Sequence, residues 1–314
     1  MVYLCPMADK ETSDWLSSMR GKRTVKILSG IRGVGKSSAL AAWRDELLAS
    51  GVPEERVVCV DAEEPVLRHL VSADDVLRYL ATQLPESGPV IMLIDEPGSF
   101  PDYEKCIGEL LGQRRLDIYL TLSSSRLVTG GLSDYLRGAI AVREMIPPPE
   151  GIHESPAKAR ARWNEIMLRD VLSEPGISDV GIAESIAAYL ADAVGDPISL
   201  RMITAAISPP GKCFSPNTAD AYLTALEHAH VVEKCYRWSI DHEEPLGRRY
   251  RVFFTDPMLR LARFGLSPDE DRRSAINQRW LEMRRKSSHV YLPEDDDLSK
   301  PFDFIIPEKP PRAT

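Results

Sequence analysis

The run Gly30-Ile31-Arg32-Gly33-Val34-Gly35-Lys36-Ser37 constrains this chain more than any other feature. It follows an apolar stretch with Val25, Ile27 and Leu28, and it opens an amphipathic stretch from Ser37 to about Ala49. That is a strand passing through a glycine-rich turn into a helix, the context the pattern GxxxxGK[ST] demands. Glycines let successive backbone N–H groups curl inward around a phosphate, where the positive end of the helix dipole adds to the attraction. Lys36 would place a point charge on the β and γ oxygens, and the Ser37 hydroxyl would be a Mg2+ ligand. Average residue frequencies give such a pattern in on the order of 1% of chains this long. The plain alternative is a glycine-rich turn that binds nothing.

Apolar β-rich runs then alternate with helix-like stretches. The expected strands are Thr24–Leu28, Arg56–Val60, Val90–Ile94 and Asp117–Leu122. The expected helices lie at Ser37–Ala49, Val66–Gln83 and Tyr103–Leu111. This alternation predicts βαβ units and a buried parallel sheet, so the fold class is α/β. Val90-Ile91-Met92-Leu93-Ile94-Asp95-Glu96 is an apolar strand ending in two carboxylates. Asp95 would hold Mg2+ directly or through water, and Glu96 would polarise the attacking water as general base.

Pro147 to Pro149, followed by Glu150 and Gly151, mark a break. The expected organisation is a lead-in over 1–20, a phosphate-binding core over 21–149, a helical and winged-helix region over 150–260, and a short remnant with a flexible tail over 261–314. After the break, apolar residues recur at helical spacing in three segments, including Ile182 to Val194, Leu200 to Ile207 and Ala221 to Val231. Cys235 to Phe254 alternates around Pro245-Leu246-Gly247, which suits a hairpin. Three helices and then a hairpin is the order of a winged helix.

These features together resemble a large family of bacterial and archaeal AAA+ ATPases, of the branch that also contains origin-recognition and STAND ATPases. Its members join a P-loop core to a winged helix and a restriction-endonuclease-like C-terminal module. The family pattern G-x-R-x-V-G-K-[ST]-[ST] is met from Gly30 to Ser38, which adds Arg32, Val34 and Ser38 to the nucleotide-binding residues. Further matches are Val60-Asp61, Asp102-Tyr103-Glu104, Leu168-Arg169-Asp170-Val171 and Phe254-Thr255-Asp256. The chain departs from the pattern at Pro97-Gly98, where the family has an apolar residue and Gln, and at Arg137-Gly138, where it has Gly-Arg. Phe302-Asp303-Phe304-Ile305 looks like the first acidic motif of the nuclease module, but no Glu-x-Lys follows it, so no nuclease activity is expected.

The resemblance implies ATP and Mg2+, and an ATPase that repositions its winged helix within a homo-oligomer or against a protein partner. The alternative is a nucleotide-gated scaffold or DNA adaptor with negligible hydrolysis. A P-loop kinase would need an acceptor pocket that nothing marks. Beside Lys36 and Glu96, the resemblance points to Ser124, in Ser123-Ser124-Ser125, as the group that senses the γ-phosphate. Arg126, Arg137 and Arg143 are the candidate arginine fingers, and Pro197, in Gly195-Asp196-Pro197, would read the nucleotide from the lid. The plain readings are a serine-rich turn, surface arginines and a helix start.

The formal net charge of -8 and the pI of about 5.4 argue against coating nucleic acid through overall charge. The expected recognition helix, Ser215 to Ala229, holds Asp220 and Glu227 and no Lys or Arg, so DNA contact would fall to Arg237, Arg248, Arg249 and Arg251 of the hairpin. The five cysteines form no CxxC pair, which excludes a zinc framework of that type. No apolar run approaches a membrane span, and Asp9, Lys10, Glu11 and Asp14 stand where a signal peptide needs apolar residues, so a cytoplasmic location is expected.

Overall fold

The structure is a computed structural model that describes residues 10–126, 128, 132, 135–136, 138–208, 214–295 and 304–308. Two compact units divide the chain, Met1–Met145 and Ile146–Thr314.

The first unit runs α1 (Lys10–Ser18), β1 (Val25–Ser29), α2 (Lys36–Ala49), β2 (Val57–Asp61), α3 (Ala73–Gln83), β3 (Val90–Asp95), α4 (Tyr103–Gly112), β4 (Leu116–Leu122) and β5 (Ile140–Glu144). The five strands form one parallel sheet in the order β2-β3-β4-β1-β5. Both faces of the sheet are covered, which is why β3 reads as a continuous apolar run instead of an alternating one. Met92 and Ile94 join a core with Val76 and Leu80 of α3 and Ile107 and Leu110 of α4. Ile91 and Leu93 point the other way, into a second core with Leu16 of α1 and Leu40, Trp43 and Leu47 of α2. Each fully buried aliphatic side chain of this kind contributes about 1.5–3 kcal/mol.

One expected helix divides. Pro65–His69 forms a 3-10 turn, and α3 starts afresh at Ala73 because the Ser72 hydroxyl accepts the Asp75 N–H at 3.2 Å and caps it. The sheet order brings β1, β3 and β4 side by side, so their C-terminal ends meet at one edge.

The second unit runs α5 (Pro156–Ile166), a π-helical turn (Met167–Val171), α6 (Val180–Asp192), β6 (Pro197–Ile198), α7 (Leu200–Ile207), α8 (Pro216–His228), β7 (Val232–Ser239), β8 (Glu244–Phe254), α9 (Pro257–Phe264) and α10 (Glu270–Arg284). Beyond the expected hairpin of β7 and β8, the short β6 adds a third antiparallel strand in the order β6-β8-β7. Residues 261–284, expected as part of a remnant, instead close the core of this unit. Trp280 of α10 stacks on Phe253 of β8 with ring centroids 5.1 Å apart, and Asn277 bonds both backbone groups of Phe254 at 2.8 and 2.9 Å. Farther along, Tyr291 and Ile305 exchange backbone hydrogen bonds, so part of the expected tail is paired as well.

Buried charges in this unit are all held. Asp256, 1% exposed, caps α9 through the Met258 and Leu259 N–H groups and takes Arg162 Nη2 at 2.5 Å. Arg260, fully buried, is paired with Glu270. Among the described residues, no helix is long and apolar enough to cross a membrane.

Candidate functional site

The C-terminal ends of β1, β3 and β4 gather the site. Gly30 leaves β1 at φ +150, and a Cβ placed there would meet the Met145 carbonyl oxygen at 2.5 Å, so only glycine fits. Gly35 sits in the left-handed region at φ 106 as the N-cap of α2. No side chain caps that helix start. Its first N–H groups therefore have no intrahelical partner and face the loop, as an anion site requires.

Lys36 is 4% exposed, and its Nζ donates to the Gly30 carbonyl at 2.8 Å and to Ser123 Oγ at 2.8 Å. Glu96 Oε1 stands 3.5 Å from the same ammonium. The Glu96 carboxylate also accepts the Ser123 N–H at 3.0 Å and the Ser123 hydroxyl at 2.5 Å. Burial pushes the Glu96 carboxyl up, but the charge of Lys36 and the Ser123 hydrogen bonds outweigh it and hold the group below the usual carboxylate range. Glu96 occupies the left-handed region at φ 49, a strained position for a residue with a Cβ, and Thr121 Oγ1 steadies it by accepting its N–H at 3.0 Å.

Asp95 behaves in the opposite way. Burial raises its pKa, helped by the charges of Glu96 and Asp61 and opposed by hydrogen bonds from Ser37 and Thr121. Its hydrogen bond to the Ser37 side chain puts together the hydroxyl and carboxylate that the sequence assigned to Mg2+. Thr121 bridges the pair of acids, donating to Asp95 and accepting from Glu96. Arg32 forms a two-pronged pair with Glu63 at 3.0 and 3.1 Å, and the Glu63 N–H is bound by Asp61 at 2.9 Å, which ties the phosphate loop to the end of β2.

The structure thus brings Gly30, Arg32, Gly35, Lys36, Ser37, Asp95 and Glu96 to one place, with Gly33 and Val34 in the same loop and Ser38 in the first turn of α2. At the serine run the contacts fall one residue earlier than expected. Ser123, one residue before the expected Ser124, reaches Lys36 and Glu96. Ser124 is 6% exposed and its Oγ has no hydrogen-bond partner among the described residues. Arg126 is the second residue of the helical turn after β4, and its charge reaches Tyr103. Arg143 is tied to α1 through Glu11 and Thr12, each at 3.1 Å. Arg137 and Asp303 lie outside the described residues. Thr121 is the residue contacting both acids of this site that the sequence reading passed over; its only signal was a polar residue inside an apolar strand.

In the second unit, Pro197 lies in β6 opposite Arg251. Arg251 is corrected as a DNA contact: it is 1% exposed and its Nη1 donates to the Gly195 carbonyl at 2.6 Å. Arg237 donates to the Glu294 carbonyl at 3.3 Å. On α8, Asp220 and Glu227 face Lys234 of β7, at 3.7 and 2.7 Å.

A five-stranded parallel sheet with the loop, lysine and acidic strand end just described is the core of a P-loop NTPase. Residues 22–148 match the family described as "AAA domain", and residues 149–270 match a "Domain of unknown function (DUF8612)". A curated protein of Haemophilus influenzae, described as an uncharacterized protein, is 24% identical over 317 residues, spanning 90% of this chain and 79% of its own. Among solved structures, the Walker-type ATPase paby2304 of Pyrococcus abyssi is 14% identical with a TM-score of 0.49, covering 82% of this chain and 95% of that one. The structure of Drosophila ORC bound to AT-rich DNA and Cdc6 is 14% identical with a TM-score of 0.30, covering 87% of this chain and 90% of that one.

The residues fit a Mg-nucleotide. The uncapped α2 start, the buried lysine and the Ser37–Asp95 pair are the groups such a ligand needs. Among the described residues no cluster of three or more His, Cys, Asp or Glu side chains could hold a metal. A cation here would therefore take its remaining ligands from phosphate oxygens and water, as Mg2+ does in nucleotide sites.

Proposed function

We propose that this chain is an AAA+ type ATPase that binds and hydrolyses Mg-ATP in its first unit and uses the cycle to reposition the second unit within an assembly. One observation carries the reading: a buried ammonium, Lys36, shares a hydrogen-bonded group with the carboxylate of Glu96, beside a hydroxyl and a carboxylate placed for Mg2+. Gly30, Gly33, Gly35, Lys36 and Ser38 would cradle the phosphates, with Arg32 and Val34 shaping the loop. Ser37 and Asp95 would hold Mg2+, which supplies charge neutralisation on the phosphate oxygens. Glu96 would accept a proton from the attacking water. An arginine from a neighbouring subunit would complete the site; Arg126 and Arg137 remain the residues proposed for that role, and Pro197 for contact from the lid.

In the second unit, helix, short strand, two helices and a two-stranded hairpin follow the order of a winged helix, which supports that reading. The acids of α8, already paired with the hairpin, favour protein packing over DNA as its task. ATP turnover and affinity for wild type, Lys36→Ala and Glu96→Gln test the proposal. Absence of Mg-ATP binding by the wild type, or equal binding by Lys36→Ala, would overturn it.

A second reading, a nucleotide-gated scaffold with negligible hydrolysis, draws on the grip that Ser123 and Lys36 keep on Glu96. Tight ATP binding with negligible turnover, unchanged in Glu96→Gln and unaffected by DNA, would select it.

A further inference from the structure

The opposite edge of the same sheet holds a second cavity, of about 510 Å3, where β1, β3 and β4 begin. Six cations line it: Arg20, Lys22 and Arg23 from the turn before β1, Arg56 from the turn before β2, and Arg114 and Arg115 from the turn before β4. None of the six is in an ion pair among the described residues. Arg56 and Arg115 are spent on backbone carbonyls, those of Ser87 and Pro85, and so build one wall. Arg20, Lys22, Arg23 and Arg114 are exposed.

The one carboxylate lining the cavity, Asp117, cannot neutralise them. It is taken by Lys26 Nζ at 2.5 Å and by the Gly21 N–H at 2.9 Å. The Thr24 hydroxyl oxygen, also on the lining, is buried and has no hydrogen-bond partner among the described residues. A buried hydroxyl without a partner costs about 1–3 kcal/mol unless something else supplies one. Val52, Leu111 and Leu116 provide apolar surface behind the charged rim.

We propose that this cavity is a second ligand site, for a small phosphorylated molecule of nucleotide type. Guanidinium groups bind phosphate as two-pronged forks, and several of them around one opening call for a ligand carrying more than one negative charge. The apolar surface would take a ring or other apolar body, and the volume falls within the roughly 300–1,000 Å3 of small-molecule sites. Concave walls built from four separate turns favour a small molecule over a nucleic acid duplex. Clustered cations in a chain of net charge -8 repel one another until an anion arrives, which gives the site its attraction. Because β1 runs from this cavity to the phosphate loop, the ligand would sit at the far end of one strand from Lys36, roughly 15–20 Å away by strand rise.

The test uses the full chain carrying Lys36→Ala, so that the phosphate loop is disabled, titrated with N-methylanthraniloyl-AMP and followed by fluorescence. Saturable binding displaced by inorganic pyrophosphate is expected, weakened tenfold or more by Arg20→Glu with Arg114→Glu and a few-fold by Thr24→Val. The two arginines are exposed, so unchanged melting will separate lost binding from lost fold. If Lys36→Ala proves unstable, the wild type saturated with Mg and a slowly hydrolysed ATP analogue replaces it. Absence of saturable binding, equal binding by the double variant, or binding of a single-stranded DNA 20-mer with none of the mononucleotide would each overturn the proposal.

Discussion

Lys36 and Glu96 face each other across 3.5 Å, and both are nearly closed off from water, with side chains 4% and 13% exposed. Each holds the other's charge in a place where neither would be stable alone. If the proposed function holds, an arriving phosphate competes with Glu96 for the lysine, and loading the site and freeing the proposed base become linked events.

Replacing one partner therefore has two different outcomes. Lys36→Ala is expected to weaken Mg-ATP binding by tens to a few hundred-fold, about 2–3 kcal/mol for a lost charge-assisted contact. Glu96→Gln should leave binding intact or tighter, because the lysine is released, while turnover falls by about 10²–10⁴-fold. Calorimetric affinities beside steady-state turnover check both.

The serine pair offers a sharper comparison. Ser123→Ala removes the group shared by Lys36 and Glu96 and should change turnover at least about tenfold. Ser124→Ala removes a buried hydroxyl that has no partner among the described residues, so apo stability should hold or rise by up to about 1 kcal/mol. If Ser124→Ala instead proves the variant that loses turnover, Ser124 is the sensor.

Thr121→Val keeps the shape of a fully buried side chain and deletes its hydroxyl. The Glu96 N–H then loses its partner and Asp95 loses a donor, at a cost of about 1–3 kcal/mol in stability. The Mg2+ concentration needed for half-maximal turnover should rise, since Asp95 is no longer held toward Ser37. Denaturant melts and a Mg2+ titration measure the two effects.

Glu270 sets an acid limit on the second unit. Burial would raise its pKa, but Arg260, Ser274 and the Ser267 N–H hold it down to about 2, from an ordinary 4.5. A lowered carboxylate pKa contributes stability that is fully present above pH 4.5 and is lost as pH falls toward 2, on the order of 3 kcal/mol in all. Glu270→Gln should be less stable than wild type at pH 7, with the gap closing between pH 4.5 and 2 in pH-resolved melts.

How much of this was legible in the sequence depends on how local each signal is. The phosphate loop and the Asp95–Glu96 strand end were readable because strand, turn and helix lie within a short window. Thr121 and Ser123 were not, since their roles arise from β4 lying between β3 and β1, with Ile94 beside Leu120. A slip of one residue sends a side chain off a strand end in a different direction, and that is the difference between Ser123 and Ser124. Arg251 read as a surface cation because composition cannot show that Gly195 offers a buried carbonyl to it.

The close approach of Gly30 to Met145 has a mechanical meaning. Met145 donates its N–H to Ser29 at 2.7 Å and sets its carbonyl against Gly30, and it is the last residue of the first unit. The last residue of the first unit is thus anchored at the first residue of the phosphate loop. Under the proposed function, a displacement of that loop on nucleotide exchange would act on Met145 directly, with no relay through the body of the sheet.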